Sequence, residues 1–148
     1  MKIHVNCDSE VLLKYEARGS PNYLEIYLEH NGEYYPEEHW KDFGGVIIGW
    51  WLTATIQLAE SGKSGSLEFM DGPYSIRMAL DRKTNLLALT PRNSNNCWVI
   101  DFADFKQEIV KAATNIYASF REFEVGAKER LGIEKGIRLL NSAGGRVQ

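Results

Sequence analysis

A chain of 148 residues, of which 44% are hydrophobic and 25% charged, has the composition of an ordinary water-soluble globular protein. At this length folding buries roughly 70% of the unfolded chain's surface, so stability requires neither a disulfide nor a metal. The formal net charge of −3 argues against nucleic acid as a partner, because phosphates require a concentrated basic face.

Cysteine spacing and hydrophobic runs indicate a cytoplasmic protein. Cys7 and Cys97 lie far apart without CxxC spacing, which is typical of reduced thiols. The first residues lack the apolar run of a secretion signal. Residues 43–59 carry no charge, but as a helix they would reach only about 26 Å and they contain three glycines, so we predict a buried helix and no membrane span.

The first third of the chain is rich in β-forming residues. Residues 1–17 predict two strands around a turn near Asp8-Ser9, and Gly19-Ser20-Pro21-Asn22 predicts a further turn. Residues 23–28 alternate between apolar and polar side chains, which predicts a half-buried strand. Asn31-Gly32 favours a tight hairpin turn, because both central residues of such a turn need a positive φ.

A buried helix is predicted over residues 43–60, with Asp42 as its N-terminal cap. Its apolar residues surround most of the helix, which indicates burial on two sides. The clearest stripe contains Phe43, Ile47, Trp50, Ala54 and Leu58.

A loop at residues 63–65 and a four-stranded antiparallel meander are predicted to follow, over residues 67–70, 74–80, 86–90 and 97–100. Residues 102–123 then place apolar side chains at steps of three and four, which predicts a helix with one buried face, capped by Asp101 or Asp104. The stripe consists of Phe102, Phe105, Ile109, Ala112, Ile116, Phe120 and Phe123.

A weaker helix is predicted over residues 127–140, with Leu131, Ile137 and Leu140 inward, before a frayed tail. These elements predict one α+β domain over residues 1–141 and a tail over residues 142–148. In this fold, antiparallel sheets pack on a buried central helix and on the long amphipathic helix toward the C-terminus.

Charge is distributed unevenly along the chain. Residues 1–42 contain nine acids and four bases, whereas residues 43–148 contain eleven acids and thirteen bases. Tyrosines alternate with the acids, and such a surface suits a basic protein partner, because tyrosines supply rigid contact area and carboxylates steer association. The candidate partner-binding residues are Tyr23, Glu25, Tyr27, Glu29, Glu33, Tyr34, Glu37 and Glu38. The alternative is that tyrosine favours strands and glutamate keeps an outer sheet face soluble.

Two other classes of function remain open. A small-ligand or carbohydrate-binding module would use Trp40, Trp50 or Trp51 in an open pocket. An enzyme would need the carboxylates of Glu37, Glu38 and Asp42 to converge in a cleft, as in glycoside hydrolysis.

Other catalytic and cofactor patterns are missing from the sequence. His4, His30 and His39 do not form a known metal-ligand spacing, and there is no phosphate loop, dinucleotide fingerprint or nucleophile elbow. We therefore expect a non-enzymatic protein without metal or cofactor.

Three stretches occur in an order that resembles small bacterial immunity proteins, which accompany polymorphic or contact-dependent toxins. The stretches are Trp40-Lys41-Asp42-Phe43, Trp50-Trp51-Leu52 and Leu67-Glu68-Phe69-Met70-Asp71-Gly72-Pro73-Tyr74. The likeness spans roughly residues 40–125. The resemblance implies an inhibitor that binds a cognate toxin in the producing cell and covers its catalytic or substrate-binding surface. The Gly72-Pro73 turn also has a structural explanation, because glycine adopts a positive φ and proline fixes its own.

Overall fold

The computed structural model describes residues 1–8, 10, 12–13 and 23–143. It confirms the predicted α+β class: the described residues form two antiparallel sheets, and three helices lie between residues 23 and 143. The strands are β1 Lys2–Asn6, β2 Tyr23–His30, β3 Glu33–Tyr35, β4 Lys41–Phe43, β5 Ser64–Glu68, β6 Ser75–Asp81, β7 Leu86–Pro91 and β8 Trp98–Asp101. The helices are α1 Gly44–Glu60, α2 Phe102–Glu122 and α3 Ala127–Ala143.

The first sheet is built around β2, which pairs with β1 on one side and with both β3 and β4 on the other. Between β3 and β4 the ladder continues through a bond of 2.9 Å from the Ile26 amide to the Trp40 carbonyl. Asn31 and Gly32 have φ values of 50° and 80°, so the predicted hairpin turn is confirmed.

The predicted second strand before residue 17 is wrong where the structure describes it. Leu12 and Leu13 are helical, and the Leu12 amide donates to the Asp8 carbonyl at 2.9 Å. The Asp8 carboxylate also accepts from the Glu10 amide at 2.8 Å, a local bond that favours a helix start over a strand. The predicted turn at residues 19–22 lies outside the described residues.

The second sheet has the order β5-β6-β7-β8, so the predicted meander is confirmed. Its first strand begins at Ser64, inside the predicted loop, because residues 64–68 pair with β6. Gly72 has a φ of +100°, and a Cβ there would lie 2.9 Å from the Tyr74 ring. The turn before β6 therefore requires glycine for its backbone and for its space.

Helix α1 is buried on two sides as predicted, but Asp42 does not cap it. The helix begins after Phe43 without a side-chain cap, and Asp42 lies in β4. The predicted stripe is also partly wrong, because Trp50 is 45% exposed while Trp51 is fully buried. Burial of Trp51 is fixed by its indole N–H, which donates to the Glu68 carbonyl at 2.8 Å.

The apolar stripe of α2 is confirmed, since Phe102 to Phe120 in that stripe are buried and Phe123 is half-buried. Asp101 is the cap, because its carboxylate accepts from the amides of Ala103 and Asp104 at 2.8 and 3.3 Å. In the second turn of α2, Glu108 accepts a bond of 3.0 Å from the backbone amide of Ile3 in β1.

Helix α3 extends to Ala143, beyond the predicted end of the domain at residue 141. Residues 144–148 of the predicted tail lie outside the described residues. The inward placement of Leu131 is wrong, since that side chain is 71% exposed, whereas Leu140 is buried as predicted and Ile137 is partly buried. The buried face instead contains Ile133 and Gly136, because α3 packs most closely against α1.

One continuous core joins both sheets and all three helices. Leu24, Ile26 and Leu28 supply the inner face of β2 to this core, with at most 2% of any of them exposed. The alternate side chains of β2 therefore lie on the opposite face of the first sheet.

Candidate partner-binding face

The strand register places most of the predicted partner-binding residues on one side of the first sheet. Antiparallel partners share a face, so β1 contributes the residues opposite Glu25, Tyr27 and Glu29 of β2. We call the resulting surface the outer face. It consists of Lys2, His4, Asn6, Tyr23, Glu25, Tyr27, Glu29, Tyr34, Lys41 and Phe43, with Glu38 and His39 from the loop between β3 and β4.

Tyr27 lies at the centre of the outer face and is only 7% exposed. The His4 ring stacks on it with a centroid distance of 4.7 Å and an interplanar angle of 15°. The ring centroids of Tyr34 and His39 lie 6.0 and 5.8 Å from the ring centroid of Tyr27. Neighbouring rings thus bury this tyrosine although it points away from the core, and its phenyl group has little freedom to move.

Two histidine–glutamate pairs flank this tyrosine. His4 Nε2 lies 2.7 Å from the Glu29 carboxylate, and His39 Nδ1 lies 2.7 Å from the Glu25 carboxylate. Asn6 donates a longer bond of 3.4 Å to Glu25. These contacts hold two carboxylates in fixed positions beside the tyrosines.

The carboxylates also affect the phenols. Burial, followed by the negative charges of Glu25, Glu38 and Glu29, raises the pKa of Tyr27. The charges of Glu29 and Glu38 raise the pKa of Tyr34, and Glu38 also hydrogen-bonds to this phenol. Both phenols therefore remain protonated at neutral pH.

The structure brings together six of the eight predicted residues, namely Tyr23, Glu25, Tyr27, Glu29, Tyr34 and Glu38. Glu33 lies on the other face, because it is opposite His30, and it hydrogen-bonds to Asn96. Glu37 is exposed in the loop before β4, and its carbonyl accepts from the amide of Trp40, which is not part of the outer face.

Several residues of the outer face were not predicted. His4 and His39 join it, and His39 does so from a left-handed backbone conformation with φ of 65°. The alternation of Lys2, His4 and Asn6 in β1 was a signal available in the sequence. Lys2 and Lys41 also lie on this face, so its acidity is less concentrated than the sequence indicated.

The carboxylates proposed for an enzyme do not form one cleft. Asp42 is fully buried on the inner side of β4, whereas Glu37 and Glu38 are exposed. The Asp42 carboxylate accepts from the Asp71 amide at 3.1 and 3.2 Å and from the Trp40 indole at 3.1 Å. This arrangement is that of a structural carboxylate with its lone pairs occupied.

The three tryptophans considered for ligand binding lie in different surroundings. Trp51 is in the core, Trp40 packs edge-on against Tyr74 at 5.0 Å, and Trp50 is partly exposed on α1. A groove of about 530 Å³ runs between α1 and α3, and its lining includes Gly49 and Gly132 but none of these tryptophans. The structure therefore does not bring them together into an aromatic site.

Comparisons of the chain with models of protein families, with curated proteins and with solved structures found no match. None of the helices within the described ranges is long and apolar enough to cross a membrane.

Proposed function

We propose that this protein binds a basic protein through the outer face and acts as an immunity protein that neutralises a bacterial toxin. The observation that carries the proposal is the tyrosine cluster around Tyr27, held by two histidine–glutamate pairs. The resemblance of residues 40–125 to immunity proteins supplies the biological role.

Rigidity of the outer face favours protein binding. Tyrosine gives a large contact area at low entropic cost, and tyrosines are frequent among the residues that dominate interfaces. Tyr34 is 38% exposed and lies beside the buried Tyr27, so it is the side chain best placed to enter a partner's pocket.

Charge on the outer face favours a basic partner. Glu25, Glu29 and Glu38 surround the tyrosines, while the two lysines of this face lie at strand ends. A basic toxin surface would pair with the carboxylates, and the bound protein would cover the toxin's catalytic or substrate-binding residues without any chemical reaction.

The test begins with capture of partners by the tagged protein from its native lysate, at low and at high salt. A captured basic protein counts as the partner when it is toxic in cells and loses its toxicity on co-production of this protein. Glu25→Lys with Glu29→Lys should slow its association, and the slowing should be much larger at low salt, because salt screens exposed charges.

A matched control reverses two exposed glutamates elsewhere, Glu60→Lys with Glu122→Lys. Both variants change the net charge by the same amount, so a difference between them reports where the charges lie. The control variant should therefore associate faster than the outer-face variant at low salt. Equal slowing by the two variants would remove the outer face as the interface, and a captured protein without toxicity would remove the immunity role.

A further inference from the structure

A second polar site lies on the other sheet, where β6 begins and β7 ends. An open pocket of about 410 Å³ is present there, a size within the range of small-molecule sites. Its polar lining is Ser75, Arg77, Thr90, Arg92, Asn93 and Ser94. We call it the arginine pocket.

Strand pairing explains why the two arginines meet. Arg77 of β6 lies directly opposite Thr90 of β7. The pairing reaches Ile76 and Pro91, and the Arg92 amide extends it by one pair, because it donates to the Ser75 carbonyl at 2.8 Å. Residues two apart on a strand share a face, so these four residues form a rectangle on one face of the sheet. Arg77 and Arg92 lie at two opposite corners, and the hydroxyl residues Ser75 and Thr90 lie at the other two.

Neither guanidinium in the arginine pocket is neutralised by the described part of the chain. Within the described residues, no carboxylate oxygen lies within 4.0 Å of a guanidinium nitrogen of Arg77 or Arg92. By contrast, Arg82 donates to the carbonyls of Leu58 and Gly62. The arginines of the pocket thus retain their donors for a ligand.

An acid on the adjacent strand β5 lies on the same face of the sheet. Glu68 lies opposite Ser75, and its carboxylate accepts from the Ser66 hydroxyl at 3.0 Å. It does not line the arginine pocket.

We infer that the arginine pocket binds the phosphate group of a small molecule. A guanidinium presents parallel N–H donors that match two oxygens of a phosphate, and two such groups can hold one dianion from two sides. Hydroxyls of Ser75 and Ser94 add donors to the remaining oxygens. This site is on the sheet that does not carry the outer face, so it is independent of the proposed toxin binding.

The test is calorimetric titration of the protein with inorganic phosphate in a low-salt chloride buffer, with acetate as the comparison anion. We expect saturable binding of phosphate that exceeds binding of acetate. Loss of one guanidinium, in Arg77→Gln or Arg92→Gln, should weaken phosphate binding roughly tenfold, and the double variant should not bind.

The control variant is Arg121→Gln with Arg138→Gln, which removes the same charge from exposed positions on α2 and α3. It should bind phosphate as the original protein does, and the circular dichroism spectra of all variants should agree. Equal affinity for phosphate and acetate, absence of saturable phosphate binding, or equal weakening in the two double variants would overturn the inference.

Discussion

The Asp42 carboxylate is one of the groups that connect the first sheet with the turn before β6. This carboxylate accepts hydrogen bonds from the backbone amide of Phe43 at 2.7 Å, from the Trp40 indole N–H, and from the backbone amide of Asp71 in the turn before β6. A buried carboxylate is stable when its lone pairs are occupied by donors. Asp42 was predicted to cap a helix because it directly precedes one in the sequence. One of its donors, the Asp71 amide, is 29 residues away, and local sequence does not indicate such a distant partner.

Replacement of this carboxylate tests its structural role. Asp42→Asn removes the charge and one acceptor, so we expect the free energy of unfolding to fall by about 1–3 kcal/mol in urea titrations. Asp71→Asn is the control, because Asp71 is exposed and contributes only its backbone amide to this contact. That control should stay within about 0.5 kcal/mol of the original protein, and equal losses would contradict the assignment.

At the scale of elements, the close packing of α1 and α3 depends on a glycine. A Cβ at Gly136 would lie 2.9 Å from Leu52 Cδ1 and 3.2 Å from Leu52 Cβ. Leu52 is only 1% exposed, and its Cβ cannot be moved away by a rotation of the side chain. At Gly132, one turn earlier in α3, a Cβ would meet nothing within 4 Å.

These two glycines form a matched pair for mutation. Gly136→Ala should lower the free energy of unfolding by about 1 kcal/mol, because overpacking outweighs the gain in helix propensity. Gly132→Ala should raise it by about 0.5–1 kcal/mol, because only the gain in propensity applies. The thermal midpoints of the two variants should therefore move in opposite directions, and a shift of both in the same direction would refute the packing argument.

At the scale of the whole molecule, the contact between the two sheets makes stability sensitive to acid. His30 of β2 packs against Trp98 of β8 at 5.5 Å between ring centroids. Burial lowers the pKa of His30, the positive N-terminus lowers it further, and Glu33 opposes the shift. The unfolded chain therefore takes up a proton at a higher pH than the folded protein does.

Stability contributed by His30 is present above its unfolded pKa of 6.5 and is lost as pH falls through the lower folded value. We expect urea midpoints to fall between about pH 7.5 and about pH 5, and to fall less in His30→Gln. The quantity to compare is the difference between the two proteins at each pH. If that difference is the same at both values, His30 is not the source of the acid sensitivity.

Sequence patterns predicted this fold best where a local rule decides the outcome. The stripe of α2 and the Asn31-Gly32 turn depend on residue spacing and backbone preference, and both were confirmed. Patterns were misleading where a distant partner decides, as for Trp50 and Leu131. Apolar residues surround most of α1, so its sequence alone cannot show that Trp51, bonded to Glu68, takes the buried position.

The candidate site was predicted in part for the same reason. Alternation along β2 placed Glu25, Tyr27 and Glu29 on one face before any register was known. Addition of His4 required the pairing of β1 with β2, and exclusion of Glu33 required the hairpin register. The convergence of Arg77 and Arg92 likewise depends on the pairing of β6 with β7.

The bond from the Ile3 amide to Glu108 of α2 has a consequence for self-association. Among the described strands of the first sheet, β1 lies at the edge, and an unpaired edge amide is a place where another chain can add a strand. A carboxylate that occupies this amide blocks such pairing with a charge, and the helix that carries it lies alongside the strand. The first sheet thus combines a broad outer face with a β1 edge at which the Glu108 carboxylate opposes the addition of another strand.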